Sequence, residues 1–543
     1  MTAVDSPGER AADPKAVAGR TVTALALRQT RRGALVVTAL AVGMSVVAVA
    51  AHRSTVKGSA DAVALEALAK NPAIRTLFGE PIALEDAGGF AAWRTGTALA
   101  VVLAVWGLLA ATRITRGEED SGRWDVLLAG RVPVTALVAR HVAVLVAVSL
   151  IAGSAAFASL VAAGATASGA AVHSAGLALC GVFFSAVGAM TAQVFANRAS
   201  ASGAAVAVLG IGMLLRMVGD GVAALGWLRW LSPFGLMALA RPYDGNRIWP
   251  LVVLAAGCLL LVAGVAAAAR GRDIGDGYLR APSGRAPQMR LLGSVQAFAV
   301  RRLVRPLLAW SAGVGAYYLL IGVLAASMTD FLADNPRFAE LAAQAGFAGL
   351  GTVRGYAAAL FTLLAVPVGS FTAFRLATLA ADETSRRLTL LHAQPLTRTK
   401  MLTGEISAVI GGVIVLTTVA GLATWSGTKA VHAELGLLAA LSGAWNVLPV
   451  VLLCLGAGVL ALGYSPRAVA AIGSLPAVGG FLLQVIADSS TWPTWVSQLS
   501  PFAHMAAVPN APVNWTAALL MTALATLTTA AGTACYRIRD LQI

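Results

Sequence analysis

Residues 119–135 read EDSGRWDVLLAGRVPVT, and residues 382–397 read DETSRRLTLLHAQPLT. Set together with one gap, Glu119 meets Asp382, Asp120 meets Glu383 and Arg123 meets Arg386. Leu127-Leu128 meets Leu390-Leu391, Pro133 meets Pro395 and Thr135 meets Thr397. The stretches lie about 263 residues apart and are among the few charged islands in a very apolar chain. A charged segment that recurs once per half predicts a duplicated machine with a working contact in each copy.

The surrounding sequence sets the class. Of 543 residues, 58% are hydrophobic and only 12% are charged, where a soluble domain carries about 25%. This composition predicts an all-α polytopic membrane protein. The 56 glycines suit closely packed transmembrane helices. A span needs about 20 apolar residues. By that measure the first half holds six, over 34–51, 95–114, 136–164, 171–195, 201–225 and 248–269. The second half holds six more, over 306–328, 356–378, 401–425, 435–463, 468–487 and 514–535. Before the first and seventh spans, TVTALALRQTRRG and VQAFAVRRLVRP mix apolar residues with clustered Arg, the pattern of an amphipathic helix lying in the interface.

Net charge is +15. With the N-terminus in the cytoplasm, most Lys and Arg fall in cytoplasmic loops, as the positive-inside rule requires. An even number of spans puts both termini on that side. The basic residues flank apolar spans, which argues against a nucleic-acid partner. The bias of 35 Arg to 5 Lys points to a high-GC bacterium, and hence to its cytoplasmic membrane. Residues 1–19 read as a disordered cytoplasmic tail, not a cleaved signal. The first six-helix half follows over 20–269, a cytoplasmic linker over 270–296, and the second half over 297–543.

Two further repeats support the duplication. LSPFGLMALARP (231–242) returns 268 residues later as LSPFAHMAAVPN (499–510), and Asn71-Pro72 returns as Asn335-Pro336. Halves of six spans share orientation, so a pseudo-twofold along the membrane normal is expected.

Motifs for covalent chemistry are lacking in the sequence. None of the five lysines follows the glycine that a phosphate-cradling loop needs. The four cysteines are scattered without metal spacing. We therefore expect no catalytic residue, no metal and no cofactor in this chain. The charged loops, between spans two and three and spans eight and nine, read as short helices with acids near the N-terminus, where they complement the dipole. A solvated turn obeying topology rules is the plainer reading of each loop.

The pattern E-D-x-G-R-x-x-x-L-L-x-x-x-V-P-V resembles the cytoplasmic coupling helix of type-2 ABC exporter membrane subunits. NPAIRTLFGEP, GGFAAWRTG and LSPFGLMALARPYDGNRIWP resemble the fused, double-length permeases of the tetronasin-resistance, or polyketide-antibiotic exporter, group. The resemblance implies contact with two copies of a separate ATPase subunit, which would bind ATP and Mg. Contact residues would be Glu118, Glu119, Asp120, Arg123, Trp124, Leu127 and Leu128 in the first loop. In the second they would be Asp382, Glu383, Arg386, Leu390 and Leu391. That loop departs from the pattern at Ser385, Arg387 and Thr389, which puts equal docking in doubt. The resemblance also implies an outer gate of paired short helices at Ser232, Pro233 and Phe234 and at Ser500, Pro501 and Phe502. An interfacial loop is the alternative.

Arg216 and Asp220 lie one helical turn apart in the fifth span, with Gln484 and Asp488 at their counterpart positions. Intramembrane charge is by default a functional-site hypothesis, with a local ion pair as the alternative. In the family, spans two, five, eight and eleven face the cavity between the halves. This adds Trp106 and Phe361, with Phe371 and Phe374, to a pathway for a small hydrophobic substrate in the bilayer, with membrane-facing packing as the alternative for each. The function expected is an ATP-driven exporter permease for multidrug or antibiotic efflux. A twelve-helix drug/proton antiporter and an ABC exporter of lipid or glycolipid are the alternatives.

Overall fold

The computed structural model describes residues 14–55, 75–76, 79–129, 132–279, 291–334, 349, 351–384, 395–488 and 494–539. Asn71-Pro72 and Asn335-Pro336, the 1–13 part of the tail and most of 280–296 lie outside the described residues. Among the described residues all regular structure is helical, apart from one isolated bridge between Phe195 and Leu279. Twelve helices are long and apolar enough to cross a membrane, and each coincides with one of the twelve apolar runs. The chain divides into two compact units, Met1–Arg285 and Ala286–Ile543.

In the first unit, α1 runs Pro14–Thr55, α2 Ala87–Thr112, α3 Arg123–Leu128 and α4 Val134–Ala162. They are followed by α5 Ala167–Val194, α6 Arg198–Gly221, α7 Pro233–Leu239 and α8 Trp249–Arg270. Asp86 caps α2 by accepting from the Gly88 and Gly89 amides at 2.7 and 3.1 Å. Asn197 caps α6 through the Ser200 amide at 2.9 Å. Such caps satisfy donors that a helix start leaves unpaired. Small residues set the helix spacing. A Cβ added to Gly188 of α5 would lie 2.7 Å from the Leu108 carbonyl oxygen of α2, so the two backbones touch there. Leu99, Leu103 and Leu108 close the core against Leu177 and Phe184.

In the second unit, α9 runs Val295–Asp334, α10 Val353–Thr384, α11 Arg398–Ala430, α12 Leu437–Trp445 and α13 Leu448–Tyr464. The eleventh candidate span, Pro466–Gln484, is built of shorter turns that end in α14, Gly480–Asp488. The last helix is α15, Trp515–Ile538. A Cβ on Gly322 of α9 would lie 2.4 Å from the Thr424 carbonyl of α11, repeating the close-packed style. Tyr318, Phe361 and Phe371 form the aromatic part of this core.

Three local differences from the sequence reading have physical reasons. The Arg-rich segments before spans one and seven are not separate interfacial helices. They continue without a break into 42-residue α1 and 40-residue α9. At about 1.5 Å per residue each is about 60 Å long, twice the hydrocarbon thickness of about 30 Å. The expected tenth span is two helices, α12 and α13, parted at Asn446–Val447 ahead of Pro449, whose missing N–H interrupts helical bonding. Asn446 Nδ2 donates to the Ala506 carbonyl there at 2.9 Å. The start of the expected linker is also integral to the first unit. Tyr278 and Leu279 amides donate to Gln193 and Val194 carbonyls.

Candidate functional site

The first charged loop starts where α2 widens into a π-helical turn, Arg113–Gly117. The turn carries Arg116 inward, where Nε donates to the Ala192 carbonyl at 2.9 Å. Glu119 follows on the same buried side. Its Oε1 lies 3.2 Å from Arg116 Nη1 and accepts from Arg272 Nη1 at 2.7 Å, while Oε2 accepts from Arg272 Nη2 at 2.6 Å. The Gly275 amide adds a bond to Oε1 at 2.8 Å. Glu118 pairs with Arg123 Nε at 2.7 Å, and Asp120 accepts from the Arg198 amide at 2.8 Å, closing the start of α6.

Gly122 then turns the chain with φ +70°, a left-handed conformation that costs glycine nothing. The turn launches α3. Trp124 is fully buried, its ring 6.1 Å from that of His141 among Ile114, Leu137, Val138 and Val142. Leu127 and Leu128 lean on the same cluster. What remains outward is Arg123, Asp125 and Val126, the last 79% exposed.

Three of the expected contact residues face inward. Glu118 and Glu119 are 8% and 7% exposed, and Trp124 is not exposed at all. Buried carboxylates must be paired, and these spend their charge inside the unit. They build the loop, while the other face of α3 is the surface it offers.

The second loop is fastened in a related way. Asp382 pairs with Arg302 at 2.5 Å, Glu383 with Arg539, and Arg375 with Glu405 at 2.6 Å. Arg386, Leu390 and Leu391 lie outside the described residues. The anchoring arginines, Arg272 and Arg539, each sit just beyond the last helix of their unit. Their sequence signal is Arg-x-Arg-Asp at 270–273 and again at 537–540, a fourth repeat that our reading missed. The carboxylates they take are Glu119 and Glu383, not the pair Glu119 and Asp382 that the loop alignment matched.

The LSPF motifs are built alike. Ser232 Oγ donates to the Gly212 carbonyl at 2.6 Å and accepts from the Gly235 amide at 3.3 Å. Ser500 Oγ donates to the Gly480 carbonyl at 2.9 Å and accepts from the Phe502 amide at 3.2 Å. Each serine reaches back 20 residues to the preceding span and starts a short helix whose first residue is Pro233 or Pro501, the position proline tolerates. Phe234 stacks on Phe184 at 5.3 Å, and Phe502 meets Phe481 edge-on at 5.8 Å.

Within each unit the expected pathway residues differ in burial and partners. Arg216 Nε and Asp220 Oδ2 form a buried ion pair at 2.7 Å. Arg229 approaches Asp220 Oδ1 at 3.6 Å and Glu80 at 3.2 Å, so the charges form a closed network inside the first unit. Phe361 is 1% exposed and stacked on Tyr318, which commits it to the core. Phe371 is equally buried, whereas Phe374 is exposed. Trp106 is half-buried and lines a cleft with five arginines. Gln484 is half-buried, and the Asp488 side chain lies outside the described residues. No group of three or more metal-ligating side chains exists among the described residues.

In the first unit, the Tyr243 phenol sits over Gly88 and Gly169, and burial, with Asp86 adding to it, pushes its ionisation well up.

Twelve apolar helices, close glycine-mediated packing and buried ion pairs at the helix ends define a polytopic helical membrane protein. A family model described as the C-terminal domain of multidrug efflux system permease Rv1217c matches residues 20–269 and 292–537, and the chain belongs to this family. The multidrug efflux system permease protein Rv1217c of Mycobacterium tuberculosis is 28% identical over 488 residues, covering 89% of this chain and 88% of that protein.

Proposed function

We propose that this chain is the membrane subunit of an ATP-driven exporter, moving hydrophobic compounds outward with energy supplied by a separate ATPase. Two ATPase copies would dock at the duplicated loops and carry ATP and Mg. The two halves would be repeats of one another. The termini would lie in the cytoplasm of a bacterium, and the LSPF motifs would form the outer gate. The efflux named for the Mycobacterium tuberculosis relative supports the substrate class, multidrug or antibiotic.

One observation carries the reading. Alpha-helix α3 has a fully buried tryptophan on one face and exposed Arg123, Asp125 and Val126 on the other. A short element fixed this firmly can transmit a push into the bundle, because Trp124 bears on α4 through His141 and Glu119 bears on the end of α8 through Arg272. The docking surface we propose is therefore the outer face of α3, while Glu118 and Glu119 fasten the loop.

The test is energy coupling in inverted vesicles holding the complex. ATP should drive uptake of a lipophilic dye after the proton gradient is collapsed. Uptake that follows the proton gradient and ignores ATP would favour the antiporter instead.

A further inference from the structure

We propose that a cleft at the charged-loop end of the first unit binds the phosphate headgroup of an acidic phospholipid. The cleft holds about 590 Å³ and is lined by Arg28, Arg31, Arg32, Arg113 and Arg198, with Trp106 and Leu109.

The cleft is built by contacts between α1 and α2. A Cβ at Gly33 would lie 2.4 Å from Trp106 Nε1, so the indole sits tight against the α1 backbone. Arg113 Nη2 donates to the Gln29 carbonyl at 2.8 Å, holding the wall just beyond. Asp120 and Glu118 lie close enough to act on Arg198, whereas the other four charges lack acidic partners among the described residues. Among the described residues no carboxylate forms an ion pair with Arg28, Arg31, Arg32 or Arg113. Asp120 bonds the Arg198 backbone amide and not its guanidinium. The helices that form most of the wall explain why, since neither α1 nor α2 carries an acid anywhere in its length.

The second unit shows what neutralisation looks like. Arg302, on the approach helix α9, pairs with Asp382 at 2.5 Å and lies 3.8 Å from Glu405 of α11. The corresponding stretch of α1 has arginines and no such acids. Like charges crowded at one cleft repel, and an anion relieves that repulsion. Guanidinium forks match phosphate oxygens, and basic pockets between membrane helices are recognised sites for acidic lipid headgroups. Trp106 and Leu109 supply the apolar surface that a glycerol and acyl region needs, which a free phosphate would not use.

The test uses the full-length chain, stripped of lipid in detergent and titrated separately with phosphatidylglycerol, phosphatidylcholine and inorganic phosphate. Bound molecules are counted by native mass spectrometry. Wild type should retain phosphatidylglycerol, and R28Q/R31Q/R32Q should bind it about ten-fold or more weakly, since each surface arginine contributes on the order of 1 kcal/mol. These three side chains are exposed or at the surface, so thermal stability should be unchanged. Trp106→Ala should weaken the lipid without weakening any bound phosphate. Equal retention by wild type and the triple variant overturns the proposal. So does equal retention of phosphatidylcholine, or displacement of the lipid by inorganic phosphate alone. A triple variant that keeps the lipid but loses a co-purifying protein would make the cleft a protein contact, which also overturns it.

Discussion

Arg272 grips Glu119 with both terminal nitrogens, at 2.7 and 2.6 Å, across 153 residues of chain. The side chains are 4% and 2% exposed, and the bond ties the segment after α8 to the end of α2. Breaking a buried pair by neutralising one partner strands the other and typically costs about 3–5 kcal/mol. Glu119→Gln should therefore lower the thermal unfolding midpoint of the detergent-purified chain substantially, with Arg116 and Arg272 both left facing a neutral amide. Glu119→Asp, which keeps the charge at a shorter reach, should recover part of the loss. A midpoint for Glu119→Gln equal to wild type would show that the pair does not hold the loop.

The two serines of the LSPF motifs should behave as a matched pair. Ser232→Ala and Ser500→Ala each remove one bond to a span carbonyl and one helix cap, a loss of about 1 kcal/mol per site. Efflux by both variants should fall by comparable amounts if the motifs gate the outer side. The measurement is dye transport by the two single variants at equal membrane levels. A loss confined to one of them would break the parallel.

Tyr243 sets an alkaline limit. Its hydroxyl is buried with no hydrogen-bond partner among the described residues, and burial raises its ionisation above the ordinary value near 10. A raised folded-state value means the favoured form is the neutral one. Its contribution is intact below about pH 10 and is lost as the pH climbs from there toward the raised folded value. Tyr243→Phe should be at least as stable as wild type at neutral pH and should lose less stability above pH 10. Parallel pH curves for the two proteins would contradict this assignment.

Much of the fold was legible because membrane spans announce themselves through length and apolarity, as runs such as 136–164 do. The continuity of α1 was not, since a Gly33 preceded by two arginines reads locally like an end of the apolar helix. The break at Asn446–Val447 was hidden because Pro449 lies within an unbroken apolar run. The loop acids could be found by repetition, but their direction could not. Glu119 looks like any surface acid until Arg272 is seen beside it, and that neighbour is supplied by folding alone. The repeat of Arg-x-Arg-Asp at 270–273 and 537–540 was the available clue. Arg28, Arg31 and Arg32 were read as the charged face of an interfacial helix, and only the meeting of α1, α2 and the start of α6 adds Arg113 and Arg198 to one cleft around Trp106.

The two faces of α3 make opposite predictions. Trp124→Ala removes a fully buried indole and should cost about 3–5 kcal/mol, impairing folding and coupling together. Val126→Asp alters a side chain that is 79% exposed and should change stability by no more than about 0.5 kcal/mol. The most direct measurement is ATPase-subunit retention and substrate-stimulated ATP hydrolysis in complexes purified with wild-type and Val126→Asp chains. We expect the variant to insert and melt like wild type while its hold on the ATPase weakens about ten-fold or more, the size of one interface hot spot. A Val126→Asp complex that keeps both its ATPase and wild-type stimulated hydrolysis would contradict α3 as the docking surface.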